Sequence, residues 1–401
     1  MNRHVELTFS ENVHHGRHGW LRLTPAYSVK LVEQVIAGIP QVQHVLDPFG
    51  GTGTTGLVCA TQGIESHLSD INPFLIWFSK VKTANYSSTQ LHEALEAASE
   101  IIQAAQTLDD EMPLWTPPIF QIERWWLPGR LNVLARIFYQ LSSVTLPEPV
   151  LNLLKIAFCQ TLIRWSNAAF NHQSVSFKTP TEQLILFGET DEEIYQSFMM
   201  FLKQVVDTAY LPLEAKVEIT LDDARQLAGC VGKYFDTVIT SPPYPNRMSY
   251  IRELRPYMYW LGYLNQASQA GALDWEAIGG TWGSATSRLQ SWKPTKALDL
   301  THLPAIVSEI ERSSPVLAKY VHRYFCDMDV HFVNLRRHLM PSAQLTYIVG
   351  NSKFYDTLLP VEIFFAELME KHGFSSVDVK PIRKRNSKKE LYEYIVSARF
   401  K

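Results

Sequence analysis

Asp47-Pro48-Phe49-Gly50-Gly51-Thr52-Gly53-Thr54 follows the short apolar run His44-Val45-Leu46 and leads into a helical pattern over residues 57–62. Apolar run, glycine-rich turn and helix in that order read as the strand, loop and helix of one α/β unit. Gly51-Thr52-Gly53-Thr54-Thr55-Gly56 has the spacing G-x-G-x-x-G, at which a backbone bare of side chains approaches a ligand at a helix N-terminus. The same six residues would also make a plain tight turn, so their neighbours must separate the two readings. Asp47 and Phe49 set a carboxylate and an aromatic ring at the carboxyl end of the strand, where open α/β sheets bind ligands. That pair suits a nucleotide-like ligand with a cationic end better than one with a pyrophosphate.

Outward from this loop the alternation continues and then breaks. A second strand at residues 66–68 ends in Ser69-Asp70-Ile71, and Asn72-Pro73 opens a helix with proline in the first turn, where no amide hydrogen is missed. Residues 88–211 are mostly helical in pattern, rich in Leu, Ala, Phe and Trp, and predict an inserted helical domain. Strands resume at 217–221, running into Asp222-Asp223-Ala224, and at 235–240, running into Ser241-Pro242-Pro243-Tyr244. Residues 267–315 carry Gly279-Gly280-Thr281-Trp282-Gly283 and little periodicity, which predicts a loop-rich insertion. A helix at 316–339, a strand at 345–349, a helix at 361–371 and strands at 377–382 and 392–399 across a basic turn follow. The expected fold is α/β, a doubly wound, seven-stranded, Rossmann-like sheet with an antiparallel final strand plus the helical insertion. Its core is assigned to residues 1–87, 212–266 and 316–401.

A cationic end at Asp47 and a ribose at Asp70 together describe S-adenosylmethionine, with its ammonium and sulfonium, although an aspartate at position 70 also suits a helix cap. Ser241-Pro242-Pro243-Tyr244 then supplies a chemistry. Consecutive prolines stiffen the chain and remove N–H donors, so carbonyl oxygens just past a strand can face a ligand. The exocyclic amine of a nucleobase is a poor nucleophile because its lone pair is delocalised into the ring. Acceptors at the amine hydrogens, here Ser241 and the Pro242 carbonyl, draw that pair toward an incoming methyl group. Tyr244 offers a flat face on which an extruded base can stack.

With both loops in view, the chain resembles the amino-methyltransferases of DNA, whose patterns are D-P-F-x-G-x-G-T and [DNS]-P-P-[YFW]; residues 47–54 and 241–244 match both. The resemblance covers the α/β core, somewhat more than half of the chain. It implies S-adenosylmethionine as cofactor and site-specific methylation of double-stranded DNA as in restriction-modification, with a restriction enzyme of the same site as a partner. Phe49, Gly51 and Gly53 would wall the methionine end, beside Asp47, Pro48, Gly50 and Thr54 of the same loop. Asp70 and Ile71 would take the ribose. Asp223 with Ala224 would lie near the cofactor's adenine amine, with Asp222 as competitor, and Thr24, Pro25 and Tyr27 would close over the cofactor. Ser at position 241 is commoner among cytosine-N4 enzymes, so cytosine N4 is expected ahead of adenine N6.

Target recognition is expected from the inserted residues 88–211 and 267–315, the latter with Arg288, from Asn246, Arg247 and Arg252 just after the Ser-Pro-Pro-Tyr loop, and from Lys384 and Arg385 in the basic turn. Lys388 and Lys389 extend the basic turn, which also reads as a solvated hairpin tip. Trp125 and Trp126, beside Arg124, read first as helix packing. The net charge of -3 does not oppose DNA binding, since local patches decide it. The 4 cysteines are scattered without a C-x-x-C pair, so no metal site is expected and a reducing cytoplasm fits. No run of about 18 apolar residues suggests membrane insertion. A dinucleotide oxidoreductase or a cofactor-free DNA-binding module would leave the Ser-Pro-Pro-Tyr loop unexplained. Methylation of an RNA base amine or a glutamine amide would use a similar loop.

Overall fold

The computed structural model describes residues 7–21, 23, 26–169, 176–177, 190–246, 249–280, 284–294, 298–385 and 390–401. Seven strands form one sheet: β1 (His44–Asp47), β2 (Glu65–Asp70), β3 (Val217–Leu221), β4 (Phe235–Thr240), β5 (Leu339–Gly350), β6 (Ser375–Lys384) and β7 (Tyr392–Arg399). Their spatial order is β6-β7-β5-β4-β1-β2-β3. The first five run parallel, and β7 lies antiparallel to both β5 and β6. The expected sheet and its antiparallel end are therefore observed. From β1 the chain moves one way to β2 and β3, then returns to place β4 on the other side of β1. That reversal leaves a crevice between the carboxyl ends of β1 and β4, where ligands of open α/β sheets bind.

Alternation along the strands explains why both sheet faces are covered. Val45 packs with Val29, Val32, Val58, Ile239 and Ile348, while its neighbour Leu46 packs on the other face with Val238, Leu345 and Phe325. The helices that cover these faces include α1 (Val29–Ala37), α2 (Thr54–Thr61), α3 (Pro73–Lys82) and, farther along, Pro315–Leu335 and Val361–Lys371. Helix α2 begins at Thr54, three residues earlier than the hydrophobic pattern suggests, because Gly53 takes the left-handed conformation (φ 72°) that turns the chain directly into the helix.

Between β2 and β3 the helices α4 (Ser88–Gln106), α5 (Pro128–Ser143), α6 (Glu148–Arg164) and α7 (Asp191–Ala209) pack together. Their apolar cluster is continuous with Phe74 and Phe78 of α3 and with α8 (Tyr250–Trp260), the helix after the Ser-Pro-Pro-Tyr loop. Trp126 and Trp260 are fully buried in it, and the Trp126 indole donates to the Leu162 carbonyl (2.9 Å). Arg17, nearly buried, fastens the N-terminal segment to this unit through the carbonyls of Lys82, Ala84, Ala209 and Leu211.

Residues 267–315 differ from the loop-rich expectation. Three helices occur there, α9 (Ala267–Glu276), α10 (Ser284–Ser291) and α11 (Leu303–Ser313), before the long α12 (Pro315–Leu335) and α13 (Val361–Lys371). Helices of 8 to 11 residues present too few turns for an apolar period to stand out. Among the described residues no helix is long and apolar enough to cross a membrane.

Candidate active site

The glycine loop leaves β1 through Asp47, which is fully buried. Its carboxylate accepts from Thr240 Oγ1 (2.6 Å), the Phe49 amide (3.1 Å), Thr55 Oγ1 (2.5 Å) and the Tyr27 hydroxyl (3.3 Å). Burial raises its pKa, and these donors oppose the rise. Both oxygens thus serve the protein, which differs from the expectation that Asp47 presents an open carboxylate to a cationic ligand. Asp47 instead ties the end of β1 to the end of β4, one residue before Ser241. Tyr27, expected over the cofactor, also points its hydroxyl at Thr55 in this buried knot. Thr24 and Pro25 lie outside the described residues.

Gly51 and Asp70 form the more open part. Gly51 has φ 49°, and a Cβ placed there would meet nothing closer than the Phe49 carbonyl at 3.7 Å, so it borders space. Gly50 and Gly53 are packed instead: a Cβ would come within 2.9 Å of Leu68 and 2.8 Å of Ser79, respectively. Half-buried Asp70 accepts from the Gly51 amide (3.0 Å) and the Asn72 amide (2.8 Å). Burial pushes its carboxyl up to about 6. Asn72, not Asp70, caps α3, through the Phe74 amide (3.0 Å). A half-buried carboxylate next to a bare glycine backbone fits the ribose hydroxyls of S-adenosylmethionine.

After β3, both expected acidic candidates are engaged. Asp222 accepts from the amides of Asp223 and Gly229 (both 2.8 Å), and Asp223 is bridged by Arg225 (2.7 Å), which also reaches Asp327 (3.1 Å). Ala224 is buried, and its carbonyl accepts from His331 Nδ1 (2.7 Å).

The Ser241-Pro242-Pro243-Tyr244 loop leaves the end of β4 next to β1. Ser241 Oγ donates to the Ile348 carbonyl (3.1 Å), which commits its hydrogen and leaves its lone pairs as acceptors. Tyr324 donates to the Pro243 carbonyl (2.8 Å), and the Tyr250 hydroxyl accepts from the Tyr244 amide (3.3 Å). The Tyr244 hydroxyl donates to Glu393 (2.9 Å). Burial and the nearby Glu393 hold the Tyr244 phenol well above its ordinary pKa, so it remains a neutral donor.

Helix α12 carries supports that sequence reading missed. Tyr320, Tyr324, Asp327 and His331 recur at intervals of four, three and four, one face of a helix. They hold the Gly279 carbonyl, the Pro243 carbonyl, Arg225 and the Ala224 carbonyl. Burial pushes His331 down to about 4, so it is neutral; Nδ1–H donates to the carbonyl and Nε2 accepts from Tyr347 (2.6 Å). Its ring meets Phe49 edge-on at 5.1 Å. Polar tips at helical spacing on an apolar stripe were the available signal.

The expected DNA contacts scatter. Asn246 and Arg252 are half-buried beside the loop, Arg288 is exposed on α10 over Trp275 (5.7 Å), and Lys384 ends β6. Arg385 turns inward, its guanidinium 4.9 Å from the centre of the Tyr244 ring. Arg247, Lys388 and Lys389 lie outside the described residues.

Glycine loop and Pro-Pro-Tyr loop, joined at the switch point of a seven-stranded sheet, define a methyltransferase that uses S-adenosylmethionine. Residues 29–111 match the family model described as D12 class N6 adenine-specific DNA methyltransferase. Type II methyltransferase M.BsoBI of Geobacillus stearothermophilus is 22% identical, over 97% of this chain and 85% of that protein. Type II methyltransferase M.MvaI of Kocuria varians is 21% identical, over 86% of this chain and 77% of that protein. A solved rRNA methyltransferase, aviRa from Streptomyces viridochromogenes, aligns with 94% of this chain and 86% of that one at 12% identity, with a TM-score of 0.28, too loose a likeness to argue from. The chain is thus similar to Type II DNA methyltransferases over most of its length, and to the D12 class family over residues 29–111.

Proposed function

We propose that the protein methylates an exocyclic base amine at a specific site in double-stranded DNA, adenine N6 ahead of cytosine N4, in a restriction-modification setting. The observation that carries this reading is the Ser241-Pro242-Pro243-Tyr244 loop held against the end of β1 by the Thr240–Asp47 hydrogen bond. The matched family is adenine-N6-specific, so the cytosine preference drawn from Ser241 is not supported, and adenine takes first place. That match covers the glycine loop and not residues 241–244; Ser241 is the one feature that keeps cytosine as the second reading.

In the proposed mechanism Gly51, Phe49, Asp70 and Ile71 hold S-adenosylmethionine, whose contribution when bound is an electrophilic methyl group. Ser241 Oγ and the Pro242 carbonyl accept from the two amine hydrogens of the extruded base, and Tyr244 fixes the plane of its ring. As the amine nitrogen bonds to the methyl carbon it gains positive charge, its hydrogens become more acidic and these bonds strengthen, so the loop favours the transition state over the ground state; one of the two hydrogens then leaves as a proton. The insertions at 88–211 and 267–315 would select the site, with Asn246, Arg252, Arg288 and Lys384 toward the DNA. In single-turnover assays Ser241→Ala should slow transfer about 10- to 100-fold while leaving cofactor affinity within about twofold. Chromatography of the digested product identifies N6-methyladenine or N4-methylcytosine. Label found only in RNA or protein would remove DNA as the substrate.

A further inference from the structure

The C-terminal hairpin reaches back to the catalytic loop in a way the reaction itself does not require. Arg385, just past β6, lies with its guanidinium 4.9 Å from the Tyr244 ring centre and donates to the Asn351 carbonyl (2.9 Å). Glu393 of β7, which is 7% exposed, accepts from the Tyr244 hydroxyl (2.9 Å) with one oxygen and from Arg383 Nε (2.6 Å) with the other. Gly350, at the end of β5, makes room for the assembly: a Cβ there would come within 2.8 Å of the Tyr244 ring and would collide with Arg385 as well. A phenol that donates to a carboxylate has an electron-rich ring, which favours a cation over its face. A stacked base needs a clear ring face at about 3.5 Å, and a guanidinium seated at this distance occupies one of the two faces of the ring.

Building on the reading of Tyr244 as the base platform, we propose that Arg385 is the resident occupant of the base seat. Its planar guanidinium covers the Tyr244 ring while no base is present, and it leaves for a backbone phosphate of the target strand when the base enters. Glu393 keeps the ring in place during the exchange. The hairpin thereby links phosphate contact to opening of the seat, and discriminates against free nucleosides, which bring no phosphate to draw Arg385 away.

The test uses the full chain with S-adenosylhomocysteine and the fluorescent nucleoside 2-aminopurine riboside, whose emission is quenched on stacking. Arg385→Ala should bind the nucleoside roughly fivefold more tightly than the unaltered protein, the size of one lost cation–π competitor. The same substitution should raise the KM for plasmid DNA, because a phosphate contact is lost. Arg385→Met, which keeps bulk without charge, should also raise the KM. Thermal melting confirms that the variants are folded. Nucleoside affinity unchanged or weaker in folded Arg385→Ala overturns the proposal. If Tyr244→Ala/Arg385→Ala retains the gain of Arg385→Ala, the base does not stack on Tyr244, and the platform reading itself fails.

Discussion

The glycine loop and the Ser-Pro-Pro-Tyr loop leave the carboxyl ends of neighbouring parallel strands, yet they are held by different kinds of contact. The first is fastened by near neighbours in sequence: Thr55 to Asp47 across 8 positions, Gly51 to Asp70 across 19 and Ser79 to Gly51 across 28. The second is fastened by distant ones: Tyr324 to Pro243 across 81, Ser241 to Ile348 across 107 and Tyr244 to Glu393 across 149. The glycine loop, built from local contacts, forms with its own strand and helix. The Ser-Pro-Pro-Tyr loop, built from long-range contacts, depends on α12, the end of β5 and the C-terminal hairpin all being in place. Cofactor binding and methyl transfer should therefore respond separately to substitution, except where one residue joins the two loops.

Asp47 is that residue, and Asp47→Ala should break the separation with the largest effect. It leaves the buried hydroxyls of Thr55 and Thr240 and the Phe49 amide without their acceptor, a loss of about 3 kcal/mol or more. Calorimetric melting should show a clear fall in Tm, and both cofactor affinity and transfer should drop. Asp47→Asn, which retains an acceptor and removes a buried charge, should be milder. Gly350→Ala should sharpen the comparison from the catalytic side. The added methyl displaces Tyr244 and Arg385, so transfer should slow about tenfold or more while cofactor affinity in calorimetry holds within about twofold. Loss of cofactor affinity in a folded Gly350→Ala protein would falsify the independence of the two loops.

The smallest effect belongs to the cofactor side and depends on pH. Burial pushes Asp70 up to about 6 in the folded chain, against about 3.9 when unfolded. Between those values the folded state binds more protons, so this group's contribution to stability falls as pH rises through that window. Ribose hydroxyls donate best to the ionised form. Cofactor affinity should then weaken a few-fold as pH drops through about 6, and the step should vanish in Asp70→Asn. A pH series of titration calorimetry on both proteins checks this; identical profiles would remove Asp70 from the cofactor site.

The positions of residues 47–54, 70 and 241–244 at strand ends were legible in the sequence because they rest on local patterns: an apolar run before a glycine-rich turn, a carboxylate at a strand end, two prolines after a strand. The mostly parallel sheet and its antiparallel end followed from the same signals, since strands joined by helices pair in parallel and a closing hairpin does not. The helices within 267–315 were not legible because short elements carry little periodicity. Asp47 reads in sequence as a free carboxylate, and only the packing of Tyr27, Thr55 and Thr240 around it converts it into a tie. Arg385 reads as one charge of a basic turn, and only the pairing of β7 with β5 brings it over Tyr244. Sequence by itself determined where the two loops leave the strands, because an apolar run followed by glycines or prolines is a short-range pattern. Tertiary structure decided which side chains support them, because hydrogen bonds between residues 81 to 193 positions apart exist only once the sheet has closed.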